Sequence, residues 1–496
     1  MNGHNFKEKT SLIIFGATGD LTYRKLLPAL YDLNAQGELD NVNIVAIGRR
    51  DYNNEVYRQS ALEALHEGSR FKTNIEALDD SFFKKLTYYK MDFNQVEHYE
   101  GLRYYLSDII ENRERYMYYF AVAPSSFSTI IQNLHESQIL HQSAEKQLLI
   151  EKPFGDDLDS AILINNEIGR HFKENEIYRI DHYLAKEMIR NILYWRFSNT
   201  VVEALLNDQV IDHIQITASE TGGVETRGNF YDKTGAMNDM VQSHLLQVLS
   251  LLLMKRPKSF EAQHVHKQQF KVLDNLKISN KSARLWMVKG QYREGGDSLN
   301  YRDEDRVDPN SITETYVALK LMYDRKPFKG IPIYLRTGKR MDKQSTYIAI
   351  EFKPNRLDKD HGECPRNTMI IRIGPDEGIY LKVNIKKPGT TNEMETIFMD
   401  YCQSCIFENR LNTPQDYARI FSNALDRDMT IFTSWPIAQK NWALIQHIQE
   451  RAQADQVLLH GYAAYSQGPN AAAELLAKDG RHWINDSVLG ESYYED

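Results

Sequence analysis

A short apolar run, Ser11–Phe15, ends directly on Gly16-Ala17-Thr18-Gly19-Asp20-Leu21, and Leu26, Leu27, Leu30 and Leu33 then recur at helical spacing as far as Gly37. A second run, Val42–Ile47, closes on Gly48-Arg49-Arg50. Strand, glycine turn, helix and strand within about 35 residues make one mononucleotide-binding half of a parallel sheet. Gly16 and Gly19 let the backbone turn tightly and approach a pyrophosphate, whose charge then sits on the helix N-terminus. The end of the second strand selects the cofactor. An acid there binds a ribose 2′-hydroxyl, whereas Arg49 and Arg50 offer guanidinium groups to a 2′-phosphate. Thr18 adds a hydroxyl. The pattern favours NADP, and Asp51 next door keeps NAD open.

The following segments extend the same sheet. Val56–His66, Phe82–Leu86 and Tyr99–Ile110 read as helices, and Thr87–Met91, Tyr116–Val122, Gln147–Ile150 and Ile177–Ile180 as strands. Ligands of an open parallel sheet lie beyond the carboxyl ends of its strands. Gly16, Arg49, Ala123-Pro124 and Glu151-Lys152-Pro153 all fall at such ends. Lys152 is therefore a candidate for cofactor and substrate alike. Pro153 forces it extended and is a candidate cis proline.

The last of these strands runs into Arg179-Ile-Asp-His-Tyr-Leu-Ala-Lys-Glu187. A helix starting near Asp181 would set His182 and Lys186 one turn apart on one face, with Asp181 at the N-cap. Lysine, histidine, the Tyr183 hydroxyl and a helix N-terminus together suit a phosphate group. An N-capping Asp followed by a solvated polar face is the plainer alternative.

Beyond about residue 210 the pattern changes. Ile211–Ser219, Ser345–Lys353, Met369–Ile373 and Tyr380–Ile385 alternate like half-buried strands with fewer helices between them. A mostly antiparallel sheet with helices on one face fits. From Met240 the chain is a strongly apolar helix that carries His244. A buried carboxylate on one ring nitrogen would leave the other to take a proton, and Asp181 is the candidate. Asp239 precedes His244 by five residues, about 140° around a continuous α-helix. Glu220 ends the strand beginning at Ile211, and Lys339 and Lys343 follow Leu335-Arg336-Thr337-Gly338; each alone would be a surface charge. His264 and His266 alternate as in a strand and read as surface residues.

A formal net charge of −8 offers no footprint for nucleic acid or an anionic membrane. The longest apolar stretch, Leu245–Met254, is too short to span a bilayer. The polar N-terminus has no signal-peptide character. Three cysteines, an odd count, point to a reducing, cytoplasmic setting. Cys402 and Cys405 form a lone C-x-x-C with no second pair or His partner nearby, and neither metal nor redox use of the pair is expected.

Gly-Ala-Thr-Gly-Asp-Leu, Glu-Lys-Pro-Phe-Gly and the stretch Arg179–Glu187 resemble the glucose-6-phosphate 1-dehydrogenases. So do Tyr231-Asp-Lys-Thr-Gly235, Gln242-Ser-His-Leu-Leu-Gln247, Gly290-Gln-Tyr292, Arg336-Thr-Gly-Lys339 and the tail Gly468–Trp483. The resemblance runs through essentially the whole chain in the family's order. It implies an α/β plus α+β fold. Residues 1–183 would form a Rossmann-type NADP-binding domain, and residues 184–496 a larger β+α domain for substrate binding and dimerisation. It implies oxidation of glucose 6-phosphate at C1 to the lactone, in a cytoplasmic homodimer or dimer-based tetramer, with no nucleic-acid or membrane partner. His244 would be the base and Asp181 its orienting partner. His182, Tyr183 and Lys186 would hold the 6-phosphate. Lys152 would lie between sugar and cofactor, and Glu220, Asp239, Lys339 and Lys343 would bind sugar hydroxyls or phosphate. Gly16, Thr18, Gly19, Asp20, Leu21, Lys25 and Arg49 would belong to the cofactor. Ala185 stands where the family carries Gly, Asn238 where many members carry Arg, and Ser243 where Asn precedes the histidine. A glucose–fructose-type oxidoreductase shares the Glu-Lys-Pro strand end but leaves Arg179–Glu187 unexplained. A catalytically silent sugar-phosphate sensor is the non-enzymatic alternative.

Overall fold

Burial of apolar strands on both faces organises the N-terminal part of the chain. The structure, a computed structural model, describes residues 8–68, 80–109, 115–355, 364–390, 393–406, 413 and 415–485. The chain forms two units. The first comprises residues up to 185 together with 259–266 and 414–439; the second comprises 186–258, 267–413 and 440 onward.

In the first unit, β1 (Thr10–Phe15), β2 (Val42–Gly48), β3 (Leu86–Lys90), β4 (Arg115–Phe120), β5 (Glu145–Ile150) and β6 (Ile177–Arg179) form one sheet in the order β3-β2-β1-β4-β5-β6. Every pairing is parallel. This is the doubly wound arrangement, and its strand order reverses between β1 and β4. Ile13, Phe15, Val45, Ile47, Tyr118 and Phe120 face one core against the helices Val96–Ile109 and Phe127–Glu136. Ile110, expected to end the first of these helices, lies outside the described residues.

The second unit is built on a ten-stranded sheet. Its members are β7 (Ile211–Ser219), β8 (Leu276–Lys277), β9 (Met287–Arg293), β10 (Tyr316–Tyr323), β11 (Pro332–Gly338), β12 (Ser345–Phe352), β13 (Thr368–Gly374), β14 (Gly378–Lys386), β15 (Met394–Cys402) and β16 (Leu459–Ala463). The order is β15-β14-β13-β12-β7-β11-β10-β9-β16, with β8 on β10. Only β7–β11 and β9–β16 are parallel among these pairings.

Three expectations are corrected. No helix starts at Asp181: the chain turns there, and the helix begins at Glu187 with Lys186 as N-cap. The Asp181 side chain instead accepts from Tyr183 N at 3.0 Å and its carbonyl from Leu184 N at 3.0 Å. That local bonding competes with helix formation. His264 and His266 lie on a helix, Ala262–Asp274, not on a strand. His266 is no surface residue either, since its Nε2 is shut away from solvent. Finally, Cys402 and Cys405 are joined in a disulfide at the end of β15, their Cα atoms 5.3 Å apart. Among the described residues no helix is long and apolar enough to cross a membrane.

Candidate active site

The first unit carries a nucleotide crevice at the carboxyl ends of β1 and β2. Gly16 adopts φ +89°, and a Cβ there would stand 2.2 Å from the Ala121 carbonyl oxygen. Only glycine lets β1 turn this close to the end of β4. The turn is pinned from outside: Tyr57 Oη donates to Ala17 O at 2.9 Å, and Thr22 Oγ1 to Gly16 O at 3.1 Å. Gly19 N bonds back to Gly16 O at 3.0 Å. Leu21 is the N-cap of a π-helical turn, Thr22–Leu26, that passes into the α-helix Leu27–Ala35. Asp20 faces Arg24 at 3.6 Å, and Lys25 is exposed on the same turn.

Across the crevice, Thr18 lies against the end of β2, its Cγ2 3.0 Å from where a Gly48 Cβ would sit. Arg49 and Arg50 are exposed there. Arg50 donates its Nη1 to the Tyr52 hydroxyl at 3.2 Å. Asp51 is bound to Lys90 at 2.8 Å, which lowers its carboxyl below the usual range. The acid that could select NAD is thus engaged by a lysine, while Arg49 stays at the crevice edge. The close-approach glycine and this charge arrangement fit a dinucleotide carrying a 2′-phosphate.

Lys152 follows β5 and is half-buried, with a cis Lys152–Pro153 bond. Beside it is a group that the sequence reading passed over. Glu151 Oε1 accepts from Tyr119 Oη at 2.5 Å and Tyr417 Oη at 3.0 Å. Burial pushes its carboxyl up, against the pull of both hydroxyls and Lys152, and Asp181 adds to the rise. Tyr417 lies 266 residues from Glu151, so no local pattern could have announced the pair.

The segment after β6 is held at both ends. Arg179 is buried and gives Nη1 to Glu174 at 2.8 Å and Nη2 to Asn165 at 2.6 Å. Its carbonyl accepts from Thr433 N at 2.9 Å, and Arg419 donates to the Ala185 carbonyl. Between these anchors Asp181 is 2 % exposed, Tyr183 is buried, and the half-buried His182 ring meets that of Tyr183 edge-on at 5.1 Å.

In the second unit the parallel pairing of β7 and β11 sets Ser219 opposite Gly338. The next residues, Glu220 and Lys339, leave the same sheet end and form an ion pair, with Lys339 4 % exposed. Their backbones are tied as well: Glu220 N donates to Gly338 O at 2.9 Å and Lys339 N to Thr315 O at 3.0 Å. Lys339 lies over the Tyr231 ring at 5.0 Å, and Tyr462 Oη donates to its carbonyl at 2.7 Å. The Tyr231 hydroxyl is pushed well up by burial first and then by Asp239, with Tyr462, Glu220 and Glu314 adding to it. Glu220, Asp239 and Lys339 therefore gather their charges around the neutral Tyr231. Lys343 lies exposed on the loop after β11.

His244 is 2 % exposed on a π-helix, Met237–Leu245, which continues as the α-helix Leu246–Leu253. In a π-helix bonds run from i to i+5, so residues five apart lie roughly one turn apart. Asp239 and His244 thus come nearer to one face than α-helical geometry allows. The helix is set at its start by Glu314, whose Oε1 accepts from Met237 N at 3.1 Å and whose carbonyl accepts from Ala236 N at 2.9 Å. Neither Tyr231 nor Glu314 was named from sequence as part of the site, although Tyr231 opens one of the motifs noted there.

Residues 13–191 match the family described as glucose-6-phosphate dehydrogenase, NAD binding domain, and residues 193–484 match its C-terminal domain. The chain is 39% identical over 492 residues to glucose-6-phosphate 1-dehydrogenase of Chlamydia pneumoniae, covering 95% of each chain. It is 37% identical to that of Bacillus subtilis, covering 97% of this chain and 99% of the relative. A solved structure of glucose-6-phosphate dehydrogenase in complex with its substrate glucose-6-phosphate superposes with a TM-score of 0.87 at 31% identity, over 97% of this chain and 99% of the other. The enzyme from Mycobacterium avium gives 0.84 at 29% identity, with the same coverage of both chains.

Proposed function

The chain belongs to the glucose-6-phosphate dehydrogenase family, and from that premise we propose how its own residues perform the reaction. It oxidises D-glucose 6-phosphate at C1 to 6-phospho-D-glucono-1,5-lactone. The Gly16 turn, Thr18 and Arg49 would hold NADP, with Arg49 and Thr18 available to a 2′-phosphate, and the cofactor would supply the hydride acceptor. His244 takes the proton of the C1 hydroxyl, and Asp181 orients the ring and steadies the imidazolium that results. The deep burial of both groups supports these roles, because a buried carboxylate and a buried imidazole each require a polar partner.

His182, Tyr183 and Lys186 hold the 6-phosphate, and binding that remote group orients C1. Glu220, Asp239, Lys339 and Lys343 bind sugar hydroxyls or phosphate, and Lys152 spans sugar and cofactor. We further propose a division near residue 183, a cytoplasmic setting, and assembly as a homodimer or dimer-based tetramer. Exposed Met399 and Tyr401 on β15 and Ile385 on β14 support self-association.

The observation that carries this reading is the rigidly anchored, polar stretch from Arg179 to Ala185 within a chain matched along nearly its whole length by one family. The test is steady-state kinetics with glucose 6-phosphate and NADP. His244→Asn lowers kcat by about 10²–10⁴ and leaves substrate affinity nearly intact, whereas Lys186→Ala raises KM for the sugar phosphate. A near-normal kcat for the first variant refutes the base assignment.

A further inference from the structure

One polar hollow of the second unit has no part in this scheme. A cavity of about 330 Å³ opens beside β9 and β16, lined among others by Gln291, Arg293, Asn300, Arg302, Asp303 and His460. Its arginines are positioned by their surroundings. Arg302 Nε donates to Gln291 Oε1 at 3.2 Å. Gln291 is 8 % exposed, and its amide nitrogen is committed to the carbonyls of Ser311 at 3.1 Å and Thr313 at 2.9 Å. The amide cannot rotate without losing both bonds, so Arg302 is held by Nε and both its terminal nitrogens remain to donate.

Arg293 is placed by contact instead. Its guanidinium packs on Gly461, where a Cβ would fall 2.0 Å from Nε. Among the described residues neither guanidinium closes an ion pair with a carboxylate. Asp303, which also lines the cavity, accepts the Asn300 amide at 2.7 Å. His460 adds a third donor beside the two forks.

Two pre-set guanidinium forks and an imidazole around one hollow match the several oxygens of a phosphoryl group better than they match a single carbonyl or hydroxyl. We propose that this cavity binds a phosphoryl dianion, carried by free phosphate or a small phosphomonoester, at a site separate from the one that holds the sugar phosphate. The cavity has room beside the phosphoryl group for a small organic part.

The test is calorimetric titration of the full chain, saturated with NADPH to fill the nucleotide crevice. The probes are inorganic phosphate and glycerol 3-phosphate. Two binding events are expected. One disappears in Lys186→Ala. The other weakens at least about tenfold in the Arg293→Gln/Arg302→Gln double variant and in Gly461→Ala, which displaces Arg293 without removing a charge. Tighter binding of glycerol 3-phosphate than of phosphate at the second event assigns it to a phosphomonoester, and equal binding to free phosphate. A single event that Lys186→Ala abolishes overturns the proposal. So does a second event that survives the double substitution unchanged, or an absence of any binding. Unchanged kcat in the double variant verifies that it is folded.

Discussion

Gly235 is the position where one methyl group should do most harm to the chemistry from a distance. It sits at φ +65° and ψ 172°, a region essentially confined to glycine, where another residue costs about 1–3 kcal/mol. A Cβ there would lie 2.6 Å from Glu314 Oε1 and 3.0 Å from its Cδ. The half-buried carboxyl does not swing out without cost, because Met237 N donates to it at 3.1 Å. Moving it leaves a buried N–H at the first turn of the helix that carries His244, worth roughly another 1–3 kcal/mol. The terms overlap, since relaxing the backbone also relieves part of the clash, so Gly235→Ala should destabilise the chain by about 2–5 kcal/mol. Because the damage enters at the start of the helix that carries the proposed base, His244, kcat should fall while KM for NADP, whose crevice is in the other unit, stays near its parent value. Urea unfolding followed by far-ultraviolet circular dichroism gives the first number, and steady-state kinetics the second. Glu314→Ala alone should reproduce the N–H part of the loss and, combined with Gly235→Ala, add little to it, because both substitutions take the same acceptor from Met237 N. A Gly235→Ala protein within about 0.5 kcal/mol of its parent, with an unchanged kcat, would show that neither the dihedral nor Glu314 sets this helix.

Other outcomes follow from the same geometry. Arg49→Glu should raise KM for NADP by about tenfold or more relative to KM for NAD, and an unchanged ratio would remove Arg49 from the 2′-phosphate. Burial holds His266 down at about 4 despite the opposing pull of Glu174, against about 6.5 for an unperturbed histidine. With a depressed pKa the unfolded chain takes up a proton that the folded chain refuses. Stability is therefore complete above about pH 6.5 and drains as pH falls toward 4, by roughly 2 kcal/mol at pH 5. Urea midpoints at pH 7 and pH 5 should differ in the parent and converge in His266→Leu; an equal difference in both proteins would contradict the assignment. Lys339→Gln should lower stability by about 1–3 kcal/mol, reduced from the fully buried value because Glu220 is partly exposed. Adding Glu220→Gln should restore the unfolding midpoint but not turnover, whereas recovery of both would make the pair merely structural.

The first unit was readable from sequence because its central strands β1, β2 and β4 are largely apolar runs buried on both faces, which erases any competing period, and the others end on a charge or lead into a turn. All six strands begin or end within a few residues of where the runs place them. The second unit yielded less. β9, with Lys289 and Gln291, and β10, with Lys320, carry polar residues inside their runs, and β15 is largely exposed. Exposed and mixed strands lack a clean alternation, and their identity comes from their neighbours. The turn at Asp181 was missed for a related reason: the composition suits an N-cap, and the choice between cap and local turn is made by Arg419 and Thr433, more than two hundred residues away.

Glu220 and Lys339 show where the limit lies. Glu220 ends an expected strand and Lys339 follows Leu335–Gly338; each in isolation would be a surface charge, and only the family resemblance puts both at the substrate. They are 119 residues apart, and what joins them is that β11 lies parallel beside β7 in a sheet otherwise mostly antiparallel. A parallel neighbour brings the two strands' carboxyl ends to the same edge, whereas an antiparallel one would have put them at opposite edges of the sheet. The ion pair, and with it the burial of Lys339 over Tyr231, therefore depends on the direction of one strand. Strand direction is a property of the connections between elements, of the crossover that carries the chain from β7 through the helix of His244 to β10 and back along β11. The residue types at strand ends mark where charge can gather; the handedness and length of those connections decide which charges meet.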